Sequence, residues 1–199
     1  MGSAVAIDLF VEDRAHEELL RPVIDRRARD FGKSVVIRVR AARGGHGKVL
    51  AELDLYQKSV LRGAYGLTMP DALVIGYDSN CSGCQEVRKA IRSRLDIAFR
   101  VNSIIACPEP HIERWYLAET AGFFRAVGVS HKVGRKKCER DFYKRALLQA
   151  VRDAGHLPTL GGIEFAQEIV AEMDFYAMSK AEGSFKAFLV ELDGCLKRV

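Results

Sequence analysis

The chain has 199 residues, 48% of them hydrophobic, with 31 lysines and arginines against 26 aspartates and glutamates, a formal net charge of +5. These values exclude a disordered, collagenous or low-complexity chain, and the length suffices for one α/β domain with an appendage. No apolar run approaches the roughly 20 residues of a membrane span, so no membrane role is expected. The odd set of five cysteines and the lack of a signal-peptide pattern at the N-terminus point to a reduced, cytoplasmic setting.

The run 4–11 is short and almost continuously apolar, as in a strand buried on both faces. Leu20, Val23, Ile24, Ala28 and Phe31 follow at helical spacing, and Pro22 inside that pattern predicts a helix start or a kink. Residues 35–39 read as a second strand, and Val49, Leu53, Tyr56 and Val60 as the face of a second helix. Residues 72–77 form a third strand pattern, Val87, Ala90, Ile91 and Leu95 a third helix, and residues 103–107 a fourth strand. Strand and helix alternating in this way predict a four-stranded, mainly parallel, Rossmann-like α/β sheet. From residue 112 the strand signal ends, and helices are predicted at 112–126, 139–153, 162–178 and 182–197. The expected organisation is an α/β core over 1–111 and a helical region over 112–199 packed on it.

Ligands of an open parallel sheet sit at the carboxyl ends of its strands. Glu12 and Asp13, followed by His16 and Glu17, come off the first strand, and Asp78, Ser79 and Asn80 come off the third. Cys107 and His111 follow the fourth, with Glu113 opening the next helix. Carboxylates converging from separate strands are what Mg2+ or Mn2+ requires, and such an ion activates water and offsets phosphodiester charge. Acids in first helical turns also favour the helix dipole without any ligand. Asp78 resists that plainer reading best, because it comes directly off a buried strand.

The order of these segments resembles the Toprim fold, in particular the OLD-family and RloB-like nucleases and the small Toprim-like proteins encoded beside ATPases. The resemblance rests on Glu12 after the first strand, the Asp78-Ser79-Asn80 triplet after the third, and Glu113-Arg114-Trp115-Tyr116-Leu117 after the fourth. Gly161-Gly162-Ile163-Glu164-Phe165 and the later Ser184-Phe185-Lys186-Ala187-Phe188 are similar to the helical tail of the small members. The resemblance implies a nuclease with Glu12 and Asp78 as catalytic residues and metal ligands. Asn80 and Glu113 would be further ligands, and His16 and Glu17 auxiliary ones. It also implies action in phage defence or DNA processing, with nucleic acid (DNA before RNA) and an ATPase as partners, and self-association left open. Two positions depart from the pattern: Asn80 stands where a second aspartate is usual, and His16 where OLD-type members carry an acid.

The stretch 132–145 holds seven basic and two acidic residues, a surplus equal to that of the whole chain, whereas 151–199 is acidic. Lys132, Arg135, Lys136, Lys137 and Arg140 would hold a phosphate backbone, the alternative being a solvated face. Cys81-Ser82-Gly83-Cys84 reads first as small residues in a tight turn; redox chemistry, or zinc with Cys107, Cys138 and His111, are its other readings. The loop 44–48 lacks the spacing and final hydroxyl of a phosphate loop, leaving Lys48 near substrate as its functional content. Trp115, Tyr116, Phe123 and Phe124 fall at core spacing rather than as a stacking platform. Three functions remain: a metal-dependent nuclease, a non-catalytic binding subunit with a degenerate site, and a CxxC redox protein.

Overall fold

The computed structural model describes residues 4–42, 48–134 and 138–199. β1 (Val5–Val11), β2 (Val35–Ala41), β3 (Ala72–Gly76) and β4 (Ser103–Ala106) pair in parallel in the order β2-β1-β3-β4. The alternation of side chains along each strand divides the core in two. Ile7, Leu9 and Val11 of β1, with Ala72 and Val74 of β3, face α1 (Arg14–Asp30) and the helices after residue 112. Phe10, Leu73 and Ile75 face the opposite layer, built from α2 (Val49–Leu61), α3 (Cys84–Arg94) and the single turn α4 (Ile97–Arg100). The expected α/β class, with a parallel sheet and a helical C-terminal region, is what the chain adopts.

Helix α1 starts eight residues before Pro22 and runs through it. Its start is set by Asp13, whose side chain accepts from the His16 amide, and its course by the buried stripe Leu19, Leu20, Val23 and Ile24. Proline therefore marks neither a beginning nor an end here.

The helical region is more broken than its periodicity predicts. The stretch 112–126 divides into α5 (Glu113–Leu117) and α6 (Thr120–Val127), because the Glu119 side chain accepts from the amides of Ala121 and Gly122 and begins a new helix. After α7 (Phe142–Asp153), the stretch 162–178 divides into a 3-10 turn (Ile163–Phe165), α8 (Ala166–Glu172) and α9 (Phe175–Ala181). Asp174 caps α9 through the amides of Tyr176 and Ala177. The last helix is α10 (Gly183–Leu196). Capping carboxylates compete with helix continuation, and apolar spacing alone cannot reveal that.

This region shares its apolar core with β1 and α1, so the two parts pack as one body. The Glu113-Arg114-Trp115-Tyr116-Leu117 segment is buried throughout and works as a clasp. Arg114 Nε donates to Glu182 at 2.6 Å, Trp115 Nε1 donates to Ser184 Oγ at 3.0 Å, and Tyr116 donates its hydroxyl to the Ala15 carbonyl at 2.8 Å. On the other side of the sheet, fully buried Asp8 accepts from Tyr56 Oη at 2.6 Å and from Arg38, with Arg40 Nε 3.6 Å away. The edge of β4 is occupied as well: Arg88 donates to the Ile105 carbonyl at 2.7 Å and Glu191 accepts from the Ile105 amide at 2.9 Å.

Two stability consequences can be measured. Tyr56→Phe leaves the Asp8 carboxylate short of a donor, so the urea midpoint should fall by the equivalent of about 1–3 kcal/mol with an unchanged m-value. Glu164 accepts from the amides of Thr159, Leu160 and Gly162. Burial would raise its pKa, but these hydrogen bonds outweigh burial and hold it below the ordinary 4.5. A depressed carboxyl pKa stabilises the fold above the unfolded value, and that contribution disappears as pH falls through the folded one. Glu164→Gln should therefore be less stable than wild type at pH 7, with the difference in thermal midpoint closing below about pH 4.

Candidate metal centre

Strand register brings the strand ends together. Val11 pairs with Gly76, and Gly76 with Ala106, so β1, β3 and β4 end at one level. The ladder continues past the strands through Glu12 N to Gly76 O and Tyr77 N to Ala106 O, both 3.0 Å. The loop after β3 is then fastened to the loop after β4 by Ser79 N to Pro108 O and Asn80 N to Pro110 O, both 2.9 Å. Asn80 adopts φ 48°, a left-handed turn conformation that asparagine tolerates better than most residues.

Ligand atoms of Glu12, His16 and Asp78 lie within 4.8 Å of one another. His16, fully buried, is the pivot. Its Nδ1 is 2.8 Å from Asp13 Oδ1 and its Nε2 is 3.1 Å from Asp78 Oδ1. Asp78 Oδ2 meets His111 Nδ1 at 3.3 Å, and the Asp78 amide donates to Glu12 Oε2 at 3.2 Å. Gly76 makes room for the imidazole: a Cβ there would lie 2.8 Å from Leu20 Cδ1 and 3.2 Å from His16 Cδ2.

The charges reinforce one another. Burial opposes ionisation of Asp13, but the hydrogen bond and charge of His16 bring its pKa down to about 2. Burial would lower the pKa of His16, yet Asp78 and Asp13 on either side hold it well above the ordinary 6.5. Asp78, likewise opposed by burial, is held low by His16 and His111. Its hydrogen bond raises His111 in turn. Glu113 moves the other way: burial first, and then the negative charge of Asp78, raise its pKa.

The residues present suit a divalent cation. Among the described residues, His16 Nε2 and Asp78 Oδ1 are both buried without an aligned hydrogen-bond partner, although they face each other. With Glu12 beside them, these two atoms would supply part of a coordination shell. Asp13 on Nδ1 is placed as the outer carboxylate that would orient a ligating imidazole.

The expected residues thus separate. Glu12 and Asp78 are brought together, and His16, read from sequence as auxiliary, is central. Glu113 is buried nearby but outside the close group. Asn80 turns its amide nitrogen toward the Asp78 carbonyl at 3.5 Å. Glu17, one residue beyond His16 on the helix, pairs its carboxylate with Arg21 at 3.3 Å, outside the close group. Lys132 and Arg140 are exposed, with Arg140 Nε 3.6 Å from Asp141; Arg135, Lys136 and Lys137 lie outside the described residues, as does His46 with its glycine neighbours. His111 and Asp13, placed by the sequence after strand ends but not named as ligands of this centre, complete it together with Gly76. Their signal was position: each lies within five residues of a strand end.

Cys81, read in sequence first as part of a tight turn, forms a disulfide with Cys138, 57 residues away. Buried Cys107 donates its thiol toward the Cys84 carbonyl at 3.8 Å, and contact with Cys84, then burial, raise its pKa.

Comparison of the chain with protein-family models, with curated proteins and with solved structures returned no match.

Gly76 provides a test that changes none of the candidate ligand residues. Gly76→Ala should displace His16 and weaken Mn2+ binding about 10–100-fold by isothermal titration calorimetry, the range typical of disturbed ligand support. Glu17→Gln should leave that affinity unchanged.

Proposed function

We propose that the chain is a metal-dependent nuclease that hydrolyses phosphodiesters in nucleic acid, DNA before RNA. The observation that carries this reading is the convergence of Glu12, His16 and Asp78 at the carboxyl ends of β1 and β3, with Asp13 behind the imidazole. Glu12, His16 and Asp78 would hold the ion, and the carbonyl oxygen of Asn80 and the carboxyl group of Glu113 would complete or tune its surroundings. The bound ion would supply a nucleophilic water and offset charge on the phosphate. One imidazole among carboxylates favours Mn2+ over Mg2+, because nitrogen ligands suit the transition metal better.

The protein's own groups have separate tasks. Asp13 fixes the His16 ring, and His111 steadies Asp78 from the partly exposed side. Lys132 and Arg140, with Arg135, Lys136 and Lys137 between them in sequence, would hold the substrate backbone by charge. The Toprim resemblance supports the same chemistry and extends it to phage defence or DNA processing beside an ATPase partner. Asn80, one charge short of the usual second aspartate, favours a second reading, a binding subunit whose metal site no longer cleaves.

Plasmid and single-stranded DNA incubated with Mn2+ or Mg2+ separate the two. Cleavage should be faster with Mn2+ and fall on the order of 10²-fold or more in Asp78→Ala and His16→Ala. Cleavage that survives in both variants would remove the assignment. Tight Mn2+ binding without cleavage, alone or with a candidate ATPase, would establish the binding subunit instead.

A further inference from the structure

The disulfide occupies a particular place. Cys81 follows directly on Asp78-Ser79-Asn80, and Cys138 lies in the segment between His131 and α7. Both ends of that segment are anchored. His131 Nε2 is 2.7 Å from the Leu117 carbonyl, and its ring packs on Phe123 at 4.3 Å. Tyr143, at the start of α7, is buried and accepts from Arg114 at 3.0 Å. Among the described residues, the hydrogen bonds of Glu139, Arg140 and Asp141 run to Phe142 and Arg145, within the segment and its helix. Val133 of the segment packs on the apolar core, and the disulfide joins Cys138 to the strand-end loop.

A third cysteine stands beside the bond. Cys84 is three residues from Cys81 and is the first residue of α3, an 11-residue helix. The spacing is that of dithiols that close on themselves, and a helix N-terminus favours the thiolate that attacks. Cys81 and Cys138 are both exposed, and Cys84 is half-buried. Cys107 and Cys195 are buried, whereas Cys84 is partly exposed and three residues from Cys81, which makes it the attacking group.

We propose that Cys81, Cys84 and Cys138 form an intramolecular thiol–disulfide exchange site, in which Cys84 displaces Cys138 from Cys81 and so unties Cys138 from the loop carrying Asp78. The Cys84 thiolate attacks Cys81 Sγ, a Cys81–Cys84 bond forms, and the Cys81–Cys138 bond breaks. Its electron pair leaves on Cys138 Sγ, which takes up the proton given up by Cys84. One disulfide and one thiol are present before and after, so the step needs no external oxidant or reductant. A small dithiol then reduces the Cys81–Cys84 bond and withdraws the product from the equilibrium. The metal reading is not a premise of this step.

The test is peptide mapping of the full chain, alkylated after exposure to graded dithiothreitol. Wild type should first show a Cys81–Cys138 cross-linked pair. At intermediate dithiothreitol it should show alkylated Cys138 together with a peptide in which Cys81 and Cys84 are joined. Trypsin should then cut after Arg140 more readily. In Cys84→Ser, and in Cys84→Ala should the first variant misfold, Cys81 and Cys138 should open together, on the order of tenfold more slowly. The proposal is overturned by wild type in which Cys138 never opens ahead of Cys81, or by Cys84 variants that open at the wild-type rate. Stoichiometric zinc in the purified protein, with no cross-linked peptide, would overturn it too and assign the cysteines to a metal.

Discussion

The central position of β1 is the constraint on which the site depends. With β2 on one side and β3 on the other, its register sets where each following loop begins, and Val11 opposite Gly76 places Glu12 and Asp78 at the same height. A slip of one residue would invert the facing of β1 side chains and send Asp8 into the apolar layer of Leu9. Buried Asp8, satisfied by Tyr56 and Arg38 on one face only, opposes such a slip. A polar group far from the strand ends thereby helps to fix the geometry of the candidate metal centre.

How His16 came to the middle of that centre could be read from sequence only in part. The strands, their order of appearance and the acids at their ends followed from apolar runs of the right length ending in polar residues. What periodicity cannot convey is a side chain's direction within the first helical turn. His16 and Glu17 are neighbours, yet one turns beneath the strand ends and the other toward Arg21. The distinction depends on where α1 starts, which Asp13 decides by capping it. Residues 118–119 and 173–174 show the same limit, since Glu119 and Asp174 end one helix by beginning another. Cys81 and Cys138 show a different one, because a contact across 57 residues leaves no mark in local pattern.

The motifs that carried the resemblance divide into two kinds. Glu12 and Asp78 sit in the centre itself. Arg114, Trp115 and Tyr116 instead lock the helical region to α1 and α10, and Glu164 gathers three amides of its own loop. Gly162, with φ 101° and a Cβ position 2.9 Å from Leu147, is where that loop presses on α7. A short motif can therefore mark architecture as readily as chemistry, and only placement tells them apart.

The treatment of β4 bears on assembly. Arg88 and Glu191 take up the outward carbonyl and amide of Ile105, so the ladder there is closed to an incoming strand. On the opposite margin, β2, Val36 is about half exposed, and among the described residues no such cover lies over it. A neighbouring chain that joined the sheet by strand addition would meet less cover from the described residues along β2, on the side away from His111. Association by that route would leave the loops after β3 and β4 open to whatever enters from solvent.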